Sequence, residues 1–298
     1  MTTLSALVQS ELSLSVREEV LMAARQLVTL HRGDAVLFYG STLHTRDFDG
    51  ILDFYVLQNR AVGQRSELVW PRVSYHEIQI KGRMVRAKVA TMSLAKFTHA
   101  ARGAGLDTTI WTRFSQPSRL VLSASPIVTT QITNAVCDCV RTATQFAAVL
   151  GPGWGSSNDY WRALFQQTYK TEFRIEKASR TDVILARDPR YYSDALLAAW
   201  REMGIIDQPS GTVLHPMINK QLSAFLKSRW RKHWAVGKPL NFIRLLKAAW
   251  TFENGARYAL SKIERHNGIS LKLTPWRERH PVLAAPAVLF HLWRAGQR

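Results

Sequence analysis

Residues 36–56 read Val-Leu-Phe-Tyr-Gly-Ser-Thr-Leu-His-Thr-Arg-Asp-Phe-Asp-Gly-Ile-Leu-Asp-Phe-Tyr-Val. An apolar, aromatic-rich run stops at Gly40-Ser41, a polar stretch follows, and a second apolar run carries a single charged residue, Asp53. That punctuation predicts strand, turn and strand. The β-prone runs are these two, residues 35–39 and 52–57, and two more at 76–80 and 86–91, preceded by helical spacing over 15–30 (Val20, Ala23, Ala24, Leu27). Beyond the Gly/Pro/Ser stretch at 151–157 the pattern becomes helical, at 160–169, 191–203, 217–231 and 240–250, with a second turn-rich break at 208–212. The expected fold class is α+β: a small mixed sheet with flanking helices in residues 1–150, then a mainly helical domain in residues 151–298.

A chain of 298 residues with 46% hydrophobic content can fill a core, which excludes wholesale disorder. Its 40 Lys+Arg against 22 Asp+Glu leave a net charge of +18. Most of that excess lies in residues 219–298, with 16 basic and 3 acidic side chains and five of the ten tryptophans: Trp230, Trp234, Trp250, Trp276 and Trp293. Such a segment suits nucleic acid, an anionic membrane surface or phosphorylated substrates; the plainer alternative is a solvated helical face with its tryptophans in the core. Residues 281–293 fall short of the roughly 20 needed to span a bilayer and contain Pro286 and His291, so they can lie on a membrane but not cross it. The N-terminus lacks a targeting pattern and reads as a mature start. Cys137 and Cys139 have no second Cys or His pair at zinc spacing and sit in an apolar helical run, so they read as structural cysteines in a reducing compartment.

The Gly-Ser turn and the following Asp suit phosphate chemistry. Glycine lets the backbone approach a polyphosphate, the Ser hydroxyl and nearby N–H groups donate to its oxygens, and the Asp holds a divalent metal. The pattern resembles the nucleotidyltransferase (polymerase β-type) signature, which has two acidic residues one apart on the second strand. Here Asp53 is followed by Phe54 and Tyr55. That departure disfavours template polymerases and aminoglycoside-modifying enzymes. One branch that tolerates a single Asp is the mitochondrial-type phosphatidate cytidylyltransferase family, also called translocator assembly and maintenance proteins. Tyr39-Gly40-Ser41 and Leu52-Asp53-Phe54 are similar to its Tyr-Gly-Ser and Met/Leu-Asp-Phe blocks. Arg86-Ala-Lys88-Val resembles its Lys-Tyr-Gly-Val strand, and Arg113-Phe-Ser-Gln-Pro117 its Gly-Arg-Leu-x-Lys-Pro block. Tyr169-Lys-Thr-Glu172-Phe173-Arg174 is similar to Tyr-x-Gly-Asp-Phe-Arg, and a looser match runs from Ile243-Arg244 through Lys247 to Gly255. Thr42 in place of Gly, Lys170-Thr171 in place of small residues, Glu172 in place of Asp and an N-terminus unlike a mitochondrial transit segment depart from the family; they bear on the lipid acceptor more than on the reaction class and favour a bacterial member.

The resemblance implies a Mg²⁺-dependent transfer from CTP to phosphatidic acid, giving CDP-diacylglycerol and pyrophosphate. It implies that Tyr39, Gly40, Ser41 and Lys247 bind the nucleotide, that Asp53 ligates Mg²⁺, and that Lys88, Arg113 and Arg174 contact phosphates. Glu172 is the first candidate for a second metal carboxylate, ahead of Asp47, Asp49 and Glu77. A phosphate-monoester acceptor is already ionised near neutral pH, so no general base is required. The C-terminal basic segment would dock on anionic lipid, making the chain a cytoplasmic protein peripheral on the inner face of the cell membrane, with nucleic acid disfavoured as a partner. The alternatives are a nucleotidyltransferase with another acceptor (a different lipid phosphate, a polyol phosphate or RNA) and a non-catalytic nucleotide-binding relative.

Overall fold

Strands β1 (Ala35–Tyr39), β2 (Ile51–Gln58), β3 (Arg72–Ile80), β4 (Arg83–Ser93) and β5 (Ser118–Ser123) form one five-stranded sheet in the order β3-β4-β2-β1-β5. The computed structural model describes residues 2–43, 50–59, 71–105, 107–171, 179–206, 212–251 and 274. All neighbouring strands are antiparallel except β2 and β4, which run parallel. β3 and β4 form a hairpin closed by Lys81-Gly82, with φ of 49° and 77°. Two consecutive positive φ values make the primed turn whose twist matches that of a two-residue hairpin.

Alternation along the strands gives the sheet two buried faces. On one, Val36, Phe38, Leu52, Phe54, Val56 and Val89 pack on Val20, Ala23, Ala24 and Leu27 of α2 (Glu18–Leu30). On the other, Leu37, Tyr39, Tyr55, Leu57 and Met92 join a core shared with α1 (Leu4–Ser13), α3 (Leu94–Ala101), α4 (Thr109–Phe114) and α5 (Pro126–Leu150). That second core runs on across residue 150 into α6 (Ser157–Thr171), α7 (Ser179–Arg187), α8 (Pro189–Glu202) and the first half of α9 (Lys220–Thr251), with Trp111, Trp161 and Trp200 fully buried. The expected α+β architecture with a helical C-terminal part is what the chain adopts.

Local chemistry explains the element ends. Ser125 caps α5 by accepting from Val128 N–H at 3.3 Å, with Pro126 in the first turn where its missing N–H costs nothing. The Gly/Pro/Ser stretch at 151–157 is a helix terminus, as its composition predicts: Gly151 N–H bonds Ala147 C=O at 2.8 Å. The patterns at 217–231 and 240–250 do not form two helices. They belong to the single helix α9, which continues through Pro239. Pro239 cannot donate to the carbonyl of Ala235, but Ala235 is exposed, so water can take that carbonyl and the interruption is tolerated. A β-carbon at Gly237 would lie 2.7 Å from the Thr171 carbonyl oxygen, so glycine is what lets α9 touch the end of α6. Cys137 and Cys139 are buried and unbridged, and burial pushes the Cys137 thiol up to about 11 and the Cys139 thiol up as well. Among the described residues no helix is long and apolar enough to cross a membrane.

Candidate active site

The site is built on the sheet face that carries Tyr39 and Tyr55. Because side chains alternate, β2 presents Ile51, Asp53, Tyr55 and Leu57 to this face, and the first two lie toward its open end. Strand pairing then fixes the neighbours of Asp53. It is opposite Tyr39 on β1 and Lys88 on β4; Lys88 is opposite Tyr75 on β3, and Tyr39 is opposite Ser118 on β5. Tyr75, Lys88, Asp53, Tyr39 and Ser118 thus form one row across all five strands. The next row outward holds Glu77, Arg86 and Ile51.

Gly40, immediately after β1, has φ +95°, a conformation that side chains disfavour. A β-carbon there would come within 2.9 Å of Asp53 Oδ2. The glycine therefore brings bare backbone against the carboxylate. Ser41 begins a short 3-10 turn over Ser41–Leu43 and is exposed; Thr42 beside it is buried, and its Oγ1 has no hydrogen-bond partner among the described residues. Open backbone, an accessible hydroxyl and a buried, unpaired second hydroxyl thus lie together at this turn.

Arg113, on α4, reaches the same face. Its Nη1 donates to Tyr55 Oη at 2.8 Å, and its guanidinium carbon lies 5.2 Å from the centre of the Tyr39 ring and 5.8 Å from that of Tyr55. The rings of Tyr39, Tyr55, Phe97 and Phe114 pack beneath it in tilted and, for Phe114 on Tyr55 and Phe97, edge-to-face pairs, with centroids 5.0–6.5 Å apart. This rigid aromatic floor holds the cation beside Asp53's row. Tyr55 occupies the strand position where the nucleotidyltransferase signature has its second acid. Instead of a second carboxylate, the chain places there a buried phenol hydrogen-bonded to Arg113.

Of the residues expected from the sequence, Tyr39, Gly40, Ser41, Asp53, Lys88 and Arg113 converge. Glu77 is on the same face, but two strands from Asp53 and one row outward; adjacent strands are about 4.8 Å apart, so the two backbones are more than about 10 Å apart, too far for one ion. Its carboxylate accepts from Tyr75 Oη at 3.1 Å. Glu172, Arg174, Asp47 and Asp49 lie outside the described residues, and Lys247 falls on α9, where only its backbone is described. No group of three His, Cys, Asp or Glu able to hold a metal occurs among the described residues. Within them the donor set for a hard cation is Asp53 at its glycine cradle, which fits Mg²⁺ when phosphate and water oxygens complete the shell. Sequence reasoning gave no role to Tyr55, Tyr75 or Arg86. Period-two counting from Asp53 and Lys88 finds Tyr55 and Arg86, whereas Tyr75 becomes visible only through strand register.

No protein-family model and no curated protein matches the chain. Among solved structures it is similar to a nucleotidyltransferase-like protein from Exiguobacterium sibiricum, at 10% sequence identity over 83% of this chain and 81% of that one, with a TM-score of 0.25.

Proposed function

We propose that this protein is a nucleotidyltransferase acting on a lipid phosphate: a phosphatidate cytidylyltransferase that joins phosphatidic acid to the α-phosphorus of CTP. The observation that carries the reading is the Asp53 carboxylate held against Gly40 at the end of β1, in register with Lys88 and beside Arg113. A carboxylate ringed by cations and an open backbone turn suits a step in which catalysis is positioning and charge stabilisation. In that step a phosphate oxygen of the acceptor forms a bond to the α-phosphorus, the bond from that phosphorus to the α–β bridging oxygen breaks, and pyrophosphate leaves with the electron pair.

Gly40 and Ser41 cradle the triphosphate, and Lys88 and Arg113 neutralise charge on the phosphates as the leaving group departs. Asp53 would hold Mg²⁺, with Glu172 as its second carboxylate; bound Mg²⁺ supplies charge neutralisation at the phosphate oxygens. Arg174 and Lys247 are assigned to phosphate contacts on the strength of the family resemblance. The acceptor monoester carries its own anionic nucleophile, so no side chain need remove a proton.

The acid-free helix α9 supports an anionic membrane as the place where such an acceptor is met. Its exposed Lys227, Arg231 and Lys232 lie between Phe225 and Trp234, which are 56% and 53% exposed. This fits a protein peripheral on the inner face of the cell membrane.

Incubation with labelled CTP, Mg²⁺ and a panel of phosphate acceptors identifies the product. Asp53→Asn is expected to abolish CTP-dependent pyrophosphate release at least about 1,000-fold, as loss of a principal electrostatic group in a site does. Turnover retained in that variant removes Asp53 from the assigned role.

A further inference from the structure

Arg86 stands out among the cations of the site face. It is half-buried, its Nε is shielded from solvent, and no hydrogen bond or ion pair of its guanidinium occurs among the described residues. An acid is nevertheless close at hand. Glu77 lies directly opposite Arg86 in the β3–β4 ladder, on the same face, but accepts from Tyr75 instead. An arginine with a shielded Nε, solvent-accessible Nη groups and no bond to its nearest carboxylate is poised for another anion, because its planar fork of donors matches carboxylate and phosphate oxygens.

Its place in the sheet indicates which anion. The Gly40-Ser41 turn follows β1, and Arg86 is on β4; the two flank the start of β2 from opposite sides, with Asp53 between them. Resting on the nucleotidyl-transfer reading, in-line displacement requires the attacking oxygen and the leaving pyrophosphate on opposite sides of the α-phosphorus. A triphosphate on the turn side leaves the Arg86 side to the attacking group. Two positions further out the same face carries Met84, 51% exposed, an apolar surface beside the cation.

We infer that Arg86 is the acceptor-binding residue, taking the phosphate monoester of the second substrate, while the Gly40-Ser41 turn serves the nucleotide.

The test uses the full chain and two variants, Arg86→Gln and Arg86→Lys, each checked by thermal unfolding. Binding is measured without nucleotide for short-chain phosphatidic acid below its micelle concentration, glycerol 3-phosphate, inorganic phosphate and the matching diacylglycerol; CTP binding is measured separately. Arg86→Gln is expected to weaken the phosphatidic acid complex about 10- to 100-fold, the range for losing one charge-assisted partner, with CTP binding changed less than about twofold. Arg86→Lys should recover part of the loss, since it keeps the charge but not the fork. In turnover assays the KM for phosphatidic acid rises while that for CTP does not.

A parallel loss with glycerol 3-phosphate and inorganic phosphate also supports the assignment and identifies the phosphate alone as what Arg86 reads; loss confined to phosphatidic acid supports a lipid phosphate as the source. Unchanged phosphatidic acid binding in Arg86→Gln overturns the assignment, as does an equal loss of CTP binding or of diacylglycerol binding. If the wild-type protein binds phosphatidic acid through Arg86 yet transfers no nucleotide to it, the anion site stands and the transferase reading falls.

Discussion

At the scale of single residues, the site depends on one absent side chain. Gly40 combines a left-handed backbone with contact against Asp53, so even a methyl group both strains the turn and displaces the carboxylate. Gly40→Ala is expected to cost about 1–2 kcal/mol of stability from the backbone alone. It should also lower kcat/KM about 100-fold, because a displacement of about 1 Å at a reacting group has that effect. Thermal unfolding and initial rates separate the two consequences. Full turnover at normal stability would mean that the position of Asp53 is not set by this glycine. Tyr55 makes the complementary point about chemical identity. Its position on the site face suits a ligand, but its hydroxyl is engaged with Arg113, so that position helps orient a cation and adds no second charge to a metal.

Elements depend on their ends, and the start of α6 shows how. Ser156, just before the helix, donates from both its N–H (2.9 Å) and its Oγ (2.7 Å) to Asp159 Oδ2. This is the reciprocal half of a capping box. The Ser156 hydroxyl, then its backbone N–H, hold the Asp159 carboxyl below the usual carboxylate range, with Arg162 adding to the effect. A depressed folded-state pKa stabilises the fold above the unfolded value, near 3.9, and the stabilisation is lost as pH falls through the folded one. Asp159 is 43% exposed, so solvent screening limits the effect: Asp159→Ala should cost about 0.5 kcal/mol near pH 7, with the gap to the wild type closing below about pH 4 in denaturant titrations. A gap independent of pH would assign the loss to packing. How much of each element could be read from the sequence follows the same local logic. β1 matched residues 35–39 because an unbroken apolar run ends at a glycine. β5 went unread because Ser118-Arg-Leu-Val-Leu-Ser123 is short and polar at both ends, and is strand only because β1 offers it an edge. The helical patterns at 217–231 and 240–250 leave a gap that α9 bridges through Pro239, since the exposure of Ala235 that makes the proline tolerable is a tertiary fact. In the site, the turn and Asp53 were legible from punctuation, whereas the roles of Tyr75 and Arg86 depend on which strands become neighbours.

Across the whole molecule, charge is segregated. α9 carries eight basic residues and no acidic one, in a chain whose last eighty residues hold most of the +18. If this surface meets anionic lipid, the paired substitution Arg231→Glu and Lys232→Glu should weaken sedimentation with anionic vesicles at least about 30-fold, at roughly 1 kcal/mol for each basic residue lost. CTP binding should be unaffected, and added salt should weaken the wild-type association in the same direction. Unchanged sedimentation would dissociate this helix from the membrane. The row from Tyr75 through Lys88, Asp53 and Tyr39 to Ser118 bears on how the chain acquires its activity as it folds. Its members come from five strands, so the row is complete only when all four strand pairings have closed, including that of β1 with β5, which are far apart in sequence. A slip of one residue in any strand would turn that strand's member to the opposite face while leaving a sheet of nearly the same extent. Ligand affinity thus reports on register, a quantity that secondary-structure content would miss, and the ability to bind should be the last native property to return on refolding.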